Sequence, residues 1–216
     1  MTAIAKQLNQ NLEQSAFFVD QSIRDQLVRY LQLLIKWNKA YNLTAVRDPL
    51  QMVARHIMDS LSIASYVKGQ RVLDVGSGAG LPGIPLALCF PEYDFTLLDS
   101  NGKKTRFMVQ VAKELGLGNV SVVKKRVSSY RPEKIFDTIV ARAFSTVANL
   151  VGESTHLLGE NSQVLAMKGT YPLAELDELG SDVGDVEVTR LEVPGVDAER
   201  HLVIVNGFAN EVCQSE

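Results

Sequence analysis

Apolar and polar positions follow two rhythms along this chain, and the rhythm changes near residue 66. Ile23, Leu27, Leu31, Leu34 and Ile35 recur at helical spacing, with Trp37 near the end of the stripe. Tyr41-Asn-Leu-Thr44 breaks that pattern. Asp48-Pro49 reads as an N-cap followed by proline at the first helical position. Leu50, Val53, Ile57, Leu61 and Ala64 are the expected buried face of the next helix. Residues 1–66 are therefore predicted to form a helical extension docked on a main domain spanning 67–216. From residue 70 short apolar runs alternate with helical stretches. The runs predict strands at Arg71–Val75, Phe95–Asp99, Val120–Lys124, Phe136–Ala141, Gln163–Lys168, Val186–Val193 and His201–Asn206, with helices near 83–90, 101–116 and 145–158. Such alternation implies a mostly parallel α/β sheet covered on both faces. The last two strands are joined too briefly for a parallel crossover and must pair antiparallel.

The junction of first strand and first helix carries the most chemistry. Val72-Leu-Asp-Val-Gly-Ser-Gly-Ala-Gly-Leu-Pro-Gly83 runs from an apolar strand through three alternating glycines. Glycines let backbone approach a ligand and take φ > 0 without strain. The spacing departs from the dinucleotide fingerprint G-x-G-x-x-G, because Leu81 stands where its third glycine would be. Asp74 would repel a pyrophosphate but can accept from a cationic amino-acid group. This D-x-G-x-G-x-G form resembles the S-adenosylmethionine (SAM) loop of Rossmann-like methyltransferases, whose seven strands also end in an antiparallel hairpin. Asp74, Gly76, Gly78, Gly80 and Leu81 are the expected cofactor loop, and Asp99 is placed to accept the ribose hydroxyls.

Composition narrows the class without naming an activity. The chain has 216 residues, 46% of them apolar, enough for a full core. Its longest apolar stretch, Leu81–Phe90, is too short to span a bilayer, and the N-terminus lacks the regions of a secretory signal. Cys89 and Cys213 are isolated thiols, as in a reducing cytoplasm. His56, His156 and His201 are scattered, so no metal site is expected. Net charge is −3, unevenly spread: residues 103–142 carry +7 and residues 143–216 carry −10. A polyanion footprint accounts for the basic block, and so does a set of solvated faces balanced by an acidic tail.

In open α/β sheets, ligands lie beyond the carboxyl ends of the strands. That selects Lys124-Lys-Arg-Val-Ser128, Ala141-Arg-Ala-Phe144 and Met167-Lys-Gly169. After the fourth strand there is neither an Asn/Asp-Pro-Pro-aromatic motif nor a cysteine nucleophile. No positioned general base is evident, which suits an acceptor with a free lone pair such as guanine N7. Arg142 is read as a contact to SAM or to RNA phosphate, and Lys168 as a phosphate or base-positioning group; an ordinary salt bridge accounts for either. His56 and Asp59 are spaced for a pair on one helix, either as a base or as a structural link. Arg55, Lys103, Lys104, Arg106, Lys124, Lys125, Arg126 and Lys168 are the expected RNA contacts.

Several longer stretches carry a family resemblance. They are Lys36-Trp-Asn-Lys-Ala-Tyr-Asn-Leu-Thr44, Arg55-His-Ile-Met-Asp-Ser60, Asp74 through Pro85, Leu97-Leu-Asp-Ser100, Gly102-Lys-Lys104, Arg142-Ala-Phe144, Lys168-Gly169 and Glu199-Arg-His-Leu202. Together they resemble the ribosomal small subunit methyltransferase G family, also called glucose-inhibited division protein B. The resemblance implies SAM-dependent methylation of N7 of one guanine, position 527 in the 530 loop of bacterial 16S rRNA. It implies cofactor contacts at Gly76, Leu81, Val127, Ser128 and Arg142, with positioning roles for Arg142, Lys168 and His56. The family often has an acidic residue where Ser128 stands, so a backbone contact there survives and a side-chain contact does not. The expected partner is 16S rRNA or a small-subunit particle, met by a cytoplasmic monomer without metal or membrane. Competing classes are a methyltransferase of another RNA or a protein, a nicotinamide oxidoreductase and a silent RNA-binding module.

Overall fold

The computed structural model describes residues 2–179 and 183–208. Cys213 lies outside them. Helix α1 (Ala3–Glu13) is capped by Thr2, and α2 (Gln21–Tyr41) by Asp20, whose carboxylate accepts from the Ile23 N–H at 2.9 Å. Asn42 closes α2 at φ 50°, a left-handed turn that asparagine tolerates. Helix α3 (Pro49–Met52) starts on the Asp48 cap, as its sequence predicts. It then widens into a π-helical segment, Val53–Met58, before the short α4 (Asp59–Leu61). Val53, Ile57, Leu61 and Ala64 are buried, but Leu50 is 41% exposed. The widened turn rotates the later residues away from the α-helical line projected from Leu50.

The remaining elements alternate: β1 (Arg71–Val75), α5 (Gly83–Cys89), β2 (Asp94–Leu98), α6 (Gly102–Leu115), β3 (Val120–Val123), β4 (Phe136–Arg142), α7 (Val147–Ser154), β5 (Leu158–Lys168), α8 (Leu173–Asp177), β6 (Val186–Arg190) and β7 (His201–Asn206). They form one seven-stranded sheet of order β3-β2-β1-β4-β5-β7-β6. The first five strands are parallel; β7 runs antiparallel to both β5 and β6. Strand β5 begins earlier than expected, across a register shift between Phe136 and Thr138. Strand β6 ends at Arg190 rather than Val193, because Leu191 and Val193 turn into the core.

Side chains alternate across the sheet with period two. Val72, Leu97, Val140 and Leu165 face a core shared with α1, α2, α5 and α6, while Leu73, Leu98, Ile139 and Val164 face one closed by α7. Both faces of the central strands are covered, which is why those strands read as largely apolar runs, whereas the edge strands β3 and β6 are partly exposed and carry polar residues. The strand order reverses between β1 and β4, where such folds open a ligand crevice.

Candidate active site

The glycine loop leaves β1 at the crevice. Gly76, Gly78 and Gly80 have φ of 69°, 61° and 85°. A Cβ on Gly76 would meet only the Phe144 ring, at 3.7 Å, and one on Gly78 would meet nothing closer than 3.8 Å. The outer face of the loop is thus open to a ligand, and glycine is required there by conformation rather than by crowding. Gly80 is the reverse: its Cβ would strike the Ile84 side chain. Leu81 is buried, and its N–H donates to the Ser77 carbonyl at 2.9 Å.

Two carboxylates brace this loop. Asp74 is fully buried, and its Oδ2 accepts from the Gly83 N–H at 2.8 Å. Its Oδ1 is buried with no partner among the described residues. Burial pushes its pKa up to about 7, against the opposing pull of the Gly83 N–H and the Arg142 cation. Asp99 lies just past β2. It accepts from the Gly78 N–H at 2.9 Å and the Asn101 N–H at 2.7 Å, with Lys104 Nζ at 3.7 Å. Asn101 caps α6, which leaves Asp99 free of that role. An orphaned acid oxygen beneath an open glycine cradle, with a second acid beside it, fits a ligand carrying an ammonium and ribose hydroxyls.

A third brace comes from outside the sheet. The Tyr30 hydroxyl of α2 donates to the Ala79 carbonyl at 2.8 Å, in the middle of the glycine loop. Tyr30 is completely buried, which drives its pKa far upward and keeps it a donor. Tyr30 stands outside the apolar stripe of Ile23, Leu27, Leu31, Leu34 and Ile35, and its spacing did not single it out.

Beside the loop lies a cleft of about 590 Å³ lined by Arg55, His56, Asp59, Arg142, Phe144, Lys168 and Arg200, among others. Asp59 is the hub. Its Oδ2 accepts from Arg142 at 3.1 Å and its Oδ1 from Arg200 at 2.8 Å. Arg142 also donates to the Arg55 carbonyl at 3.0 Å. The pairing of His56 with Asp59 read from their spacing is corrected: the π-helical turn sends them to different partners. His56 Nδ1 faces the Arg55 carbonyl and Nε2 the Thr44 hydroxyl, each at 2.9 Å. Burial, reinforced by the Arg142 cation, lowers the His56 pKa to about 4, so it is neutral at physiological pH. Ala143 sits at φ 56° between Arg142 and Phe144, a strained conformation for a residue with a Cβ.

The other expected residues fall around this centre. Lys168 pairs with Glu175 at 2.7 Å and donates to the Ser145 carbonyl at 3.1 Å, so its charge is matched inside the protein. Lys103, Arg106, Lys124, Lys125 and Arg126 are exposed, and Lys104 partly so. Lys124 Nζ lies 3.2 Å from where a Gly102 Cβ would be, over the first turn of α6. Val127 is buried and Ser128 exposed in a 3-10 turn, Val127–Ser129. Arg55 is exposed at the cleft. Among the described residues no group of His, Cys, Asp and Glu is placed to hold a metal, and no helix is long and apolar enough to cross a membrane. Arg200 and Glu175 were missed as site residues. The Glu199-Arg-His-Leu202 stretch was the available signal for Arg200.

Sheet order, glycine loop and acid-lined crevice define a Rossmann-like SAM-dependent methyltransferase. Solved structures of that class superimpose on the chain. One is the plantazolicin methyltransferase BpumL in complex with SAH (TM-score 0.58, 13% identity, 85% of this chain and 97% of that one). Another is the tRNA (m1A58) methyltransferase TrmI from Aquifex aeolicus (TM-score 0.57, 20% identity, 71% and 69%). The family model for rRNA small subunit methyltransferase G, GidB, matches residues 23–203, and the chain belongs to that family. Ribosomal RNA small subunit methyltransferase G of Pseudomonas aeruginosa is 52% identical over 95% of this chain and 96% of its own length. The protein of that name from Nitrosococcus oceani is 52% identical over 86% of each.

Proposed function

We propose that this chain transfers the methyl group of SAM to N7 of guanine 527 in the 530 loop of 16S rRNA. The observation that carries the reading is the place of Phe144, which lines the arginine-bearing cleft and whose ring lies 3.7 Å from where a Cβ on Gly76 would be. It supports reading the cofactor loop and the adjoining arginine-lined cleft as parts of one site. SAM supplies an electrophilic methyl group on a sulfonium centre. Asp74, Gly76, Gly78, Gly80, Leu81, Asp99, Val127, Ser128 and Arg142 hold it: Asp74 toward the amino-acid end, Asp99 toward the ribose.

Guanine N7 has an in-plane lone pair and no proton to lose, so its methylation requires alignment rather than a base. The cleft agrees with that demand. His56 is buried, neutral and hydrogen-bonded within the protein, and Asp59 is occupied by two arginines. Arg142 positions the base from the rim of the cleft. Lys168 and His56 act one step back, Lys168 through Glu175 and the Ser145 carbonyl, His56 through Thr44 and the Arg55 backbone. Arg55, Lys103, Lys104, Arg106, Lys124, Lys125 and Arg126 face the RNA backbone, joined by Lys168 where it borders the cleft. Residues 1–66 act as a helical extension bracing residues 67–216, the methyltransferase domain. The protein works as a cytoplasmic monomer on 16S rRNA or a small-subunit particle.

The test is nucleoside analysis of 16S rRNA incubated with the protein and SAM. The expected product is 7-methylguanosine at one position. Methyl incorporation at a different base atom, or only into protein, would replace this reading with another methyltransferase activity.

A further inference from the structure

The C-terminal end of α2 carries an aromatic surface that the cofactor site does not use. Tyr41 is 40% exposed. Its ring lies 5.2 Å from that of Trp37 at an interplanar angle of 31°, and Trp37 lies 5.6 Å from Phe107 of α6. The tilted row of rings is therefore anchored in the core at one end and open to solvent at the other. Exposed cations stand on the elements beside it. Lys36 and Lys39 are exposed on α2. Arg47 donates to the side chain of Asn42, the residue after Tyr41, at 2.8 Å. Lys103 precedes Phe107 by one helical turn on α6, which places it on the face turned toward Trp37. Lys39, Arg47 and Lys103 form no ion pair among the described residues, whereas Lys36 lies within reach of the Glu114 carboxylate.

This surface is joined to the cleft by a short, fixed segment. Asn38 accepts from the Thr44 N–H at 2.9 Å, Thr44 bonds His56, and Val46 lines the cleft itself. A half-exposed ring backed by core-anchored aromatics, with Arg47 and Lys103 on the neighbouring segments, matches what single-stranded nucleic acid requires. Bases stack on the ring while the cations follow the phosphates.

We propose that Tyr41, backed by Trp37, is a stacking platform for an unpaired RNA base flanking the target guanine. The proposal rests on the RNA-methyltransferase reading and adds a base contact to its phosphate contacts. Stacking acts on any base, so the platform sets how the strand lies across the cleft rather than which base is chosen.

Trp37 is the only tryptophan in the chain, and its fluorescence reports on the platform directly. The probes are oligoadenylate and an abasic oligomer of equal length, with affinity read by anisotropy of the labelled strand. Oligoadenylate is expected to quench Trp37 and the abasic strand to leave it nearly unchanged. Tyr41→Ala is expected to bind oligoadenylate about tenfold more weakly, and Tyr41→Phe to bind like wild type. Thermal unfolding and SAM binding of Tyr41→Ala should match wild type, since the ring lies outside the core and the cofactor loop. Equal quenching by both strands, or unchanged affinity in Tyr41→Ala, overturns the platform and leaves phosphate binding alone. A defect of Tyr41→Ala seen only with assembled small subunits, and not with RNA, also overturns it and assigns the surface to a ribosomal protein. Wild-type protein that binds oligoadenylate in this way but does not methylate 16S rRNA would defeat the proposed function instead.

Discussion

At the scale of single residues, the least comfortable group is Asp74, an acid with no solvent and one orphaned oxygen. Its folded pKa of about 7 stands above the ordinary 3.8. Between those values the unfolded chain has released the proton that the folded protein keeps. The unfolded state binds fewer protons there, so unliganded stability is greatest below that window. It is lost as pH rises through it, by at most about 1.4 kcal/mol per pH unit. Asp74→Asn should flatten that slope and raise the melting temperature of the unliganded protein above neutrality. A cationic ligand favours the ionised acid, so SAM affinity should climb with pH and level off above about 7. Calorimetric titrations from about pH 6 to about pH 8 check this, and a flat affinity in wild type would separate Asp74 from the cofactor. Ala143 is strained in a different way. A left-handed residue with a Cβ costs roughly 1–2 kcal/mol, so Ala143→Gly should stabilise the fold by about 0.5–1 kcal/mol. It should also slow turnover by loosening Arg142 and Phe144. Urea midpoints and single-turnover rates read the two effects, and a destabilised variant would show that the alanine is at ease.

At the scale of elements, α2 joins the helical layer to the chemistry. Its Tyr30 hydroxyl satisfies a carbonyl of the glycine loop, so the loop is held from above by a helix and from below by Asp74. Tyr30→Phe removes the donor and leaves the Ala79 carbonyl buried and unpaired, a loss of about 1–3 kcal/mol. Part of that loss should appear as weaker SAM binding, because the freed loop must be reordered by the ligand. A stability loss with unchanged SAM affinity would mean that the hydroxyl only cements the helix. The π-helical turn Val53–Met58 is a second device of this kind. By adding width to one turn it points Asp59 at two arginines and His56 at Thr44, where a regular helix would have kept them neighbours.

At the scale of the whole molecule, charge is segregated despite a net of only −3. Lys104 lies 3.7 Å from Asp99 and Lys124 lies over Gly102, so two cations of the α6 start and the β3 end stand beside the glycine loop. RNA binding should therefore weaken steeply with salt, by about 0.7–0.9 in log–log slope for each phosphate neutralised. Reversing Lys124 and Lys125 to Glu should reduce that slope by about 1.4–1.8 and leave SAM binding intact. If methylation and its salt dependence do not change, these lysines are only a solvated face.

Much of this protein was legible in the sequence, for a physical reason. Strands buried on both faces must be apolar throughout, and alternating glycines are needed where the backbone turns left-handed, so the sheet and the cofactor loop announce themselves locally. The Asp48 cap, the antiparallel β6–β7 pairing and the exposed basic block follow from equally local rules. What the tertiary structure alone decided are the partners of polar groups. Tyr30 carries no signal in the sequence, and its role appears only where it meets Ala79, forty-nine residues away. Asp59 was paired with the wrong neighbour because one widened turn, invisible in the spacing, redirects it. Arg200 reaches that acid across 141 residues of chain. Periodicity encodes which face of an element is buried; it carries no record of which distant donor will satisfy a buried acceptor, because that is settled only when the layers close.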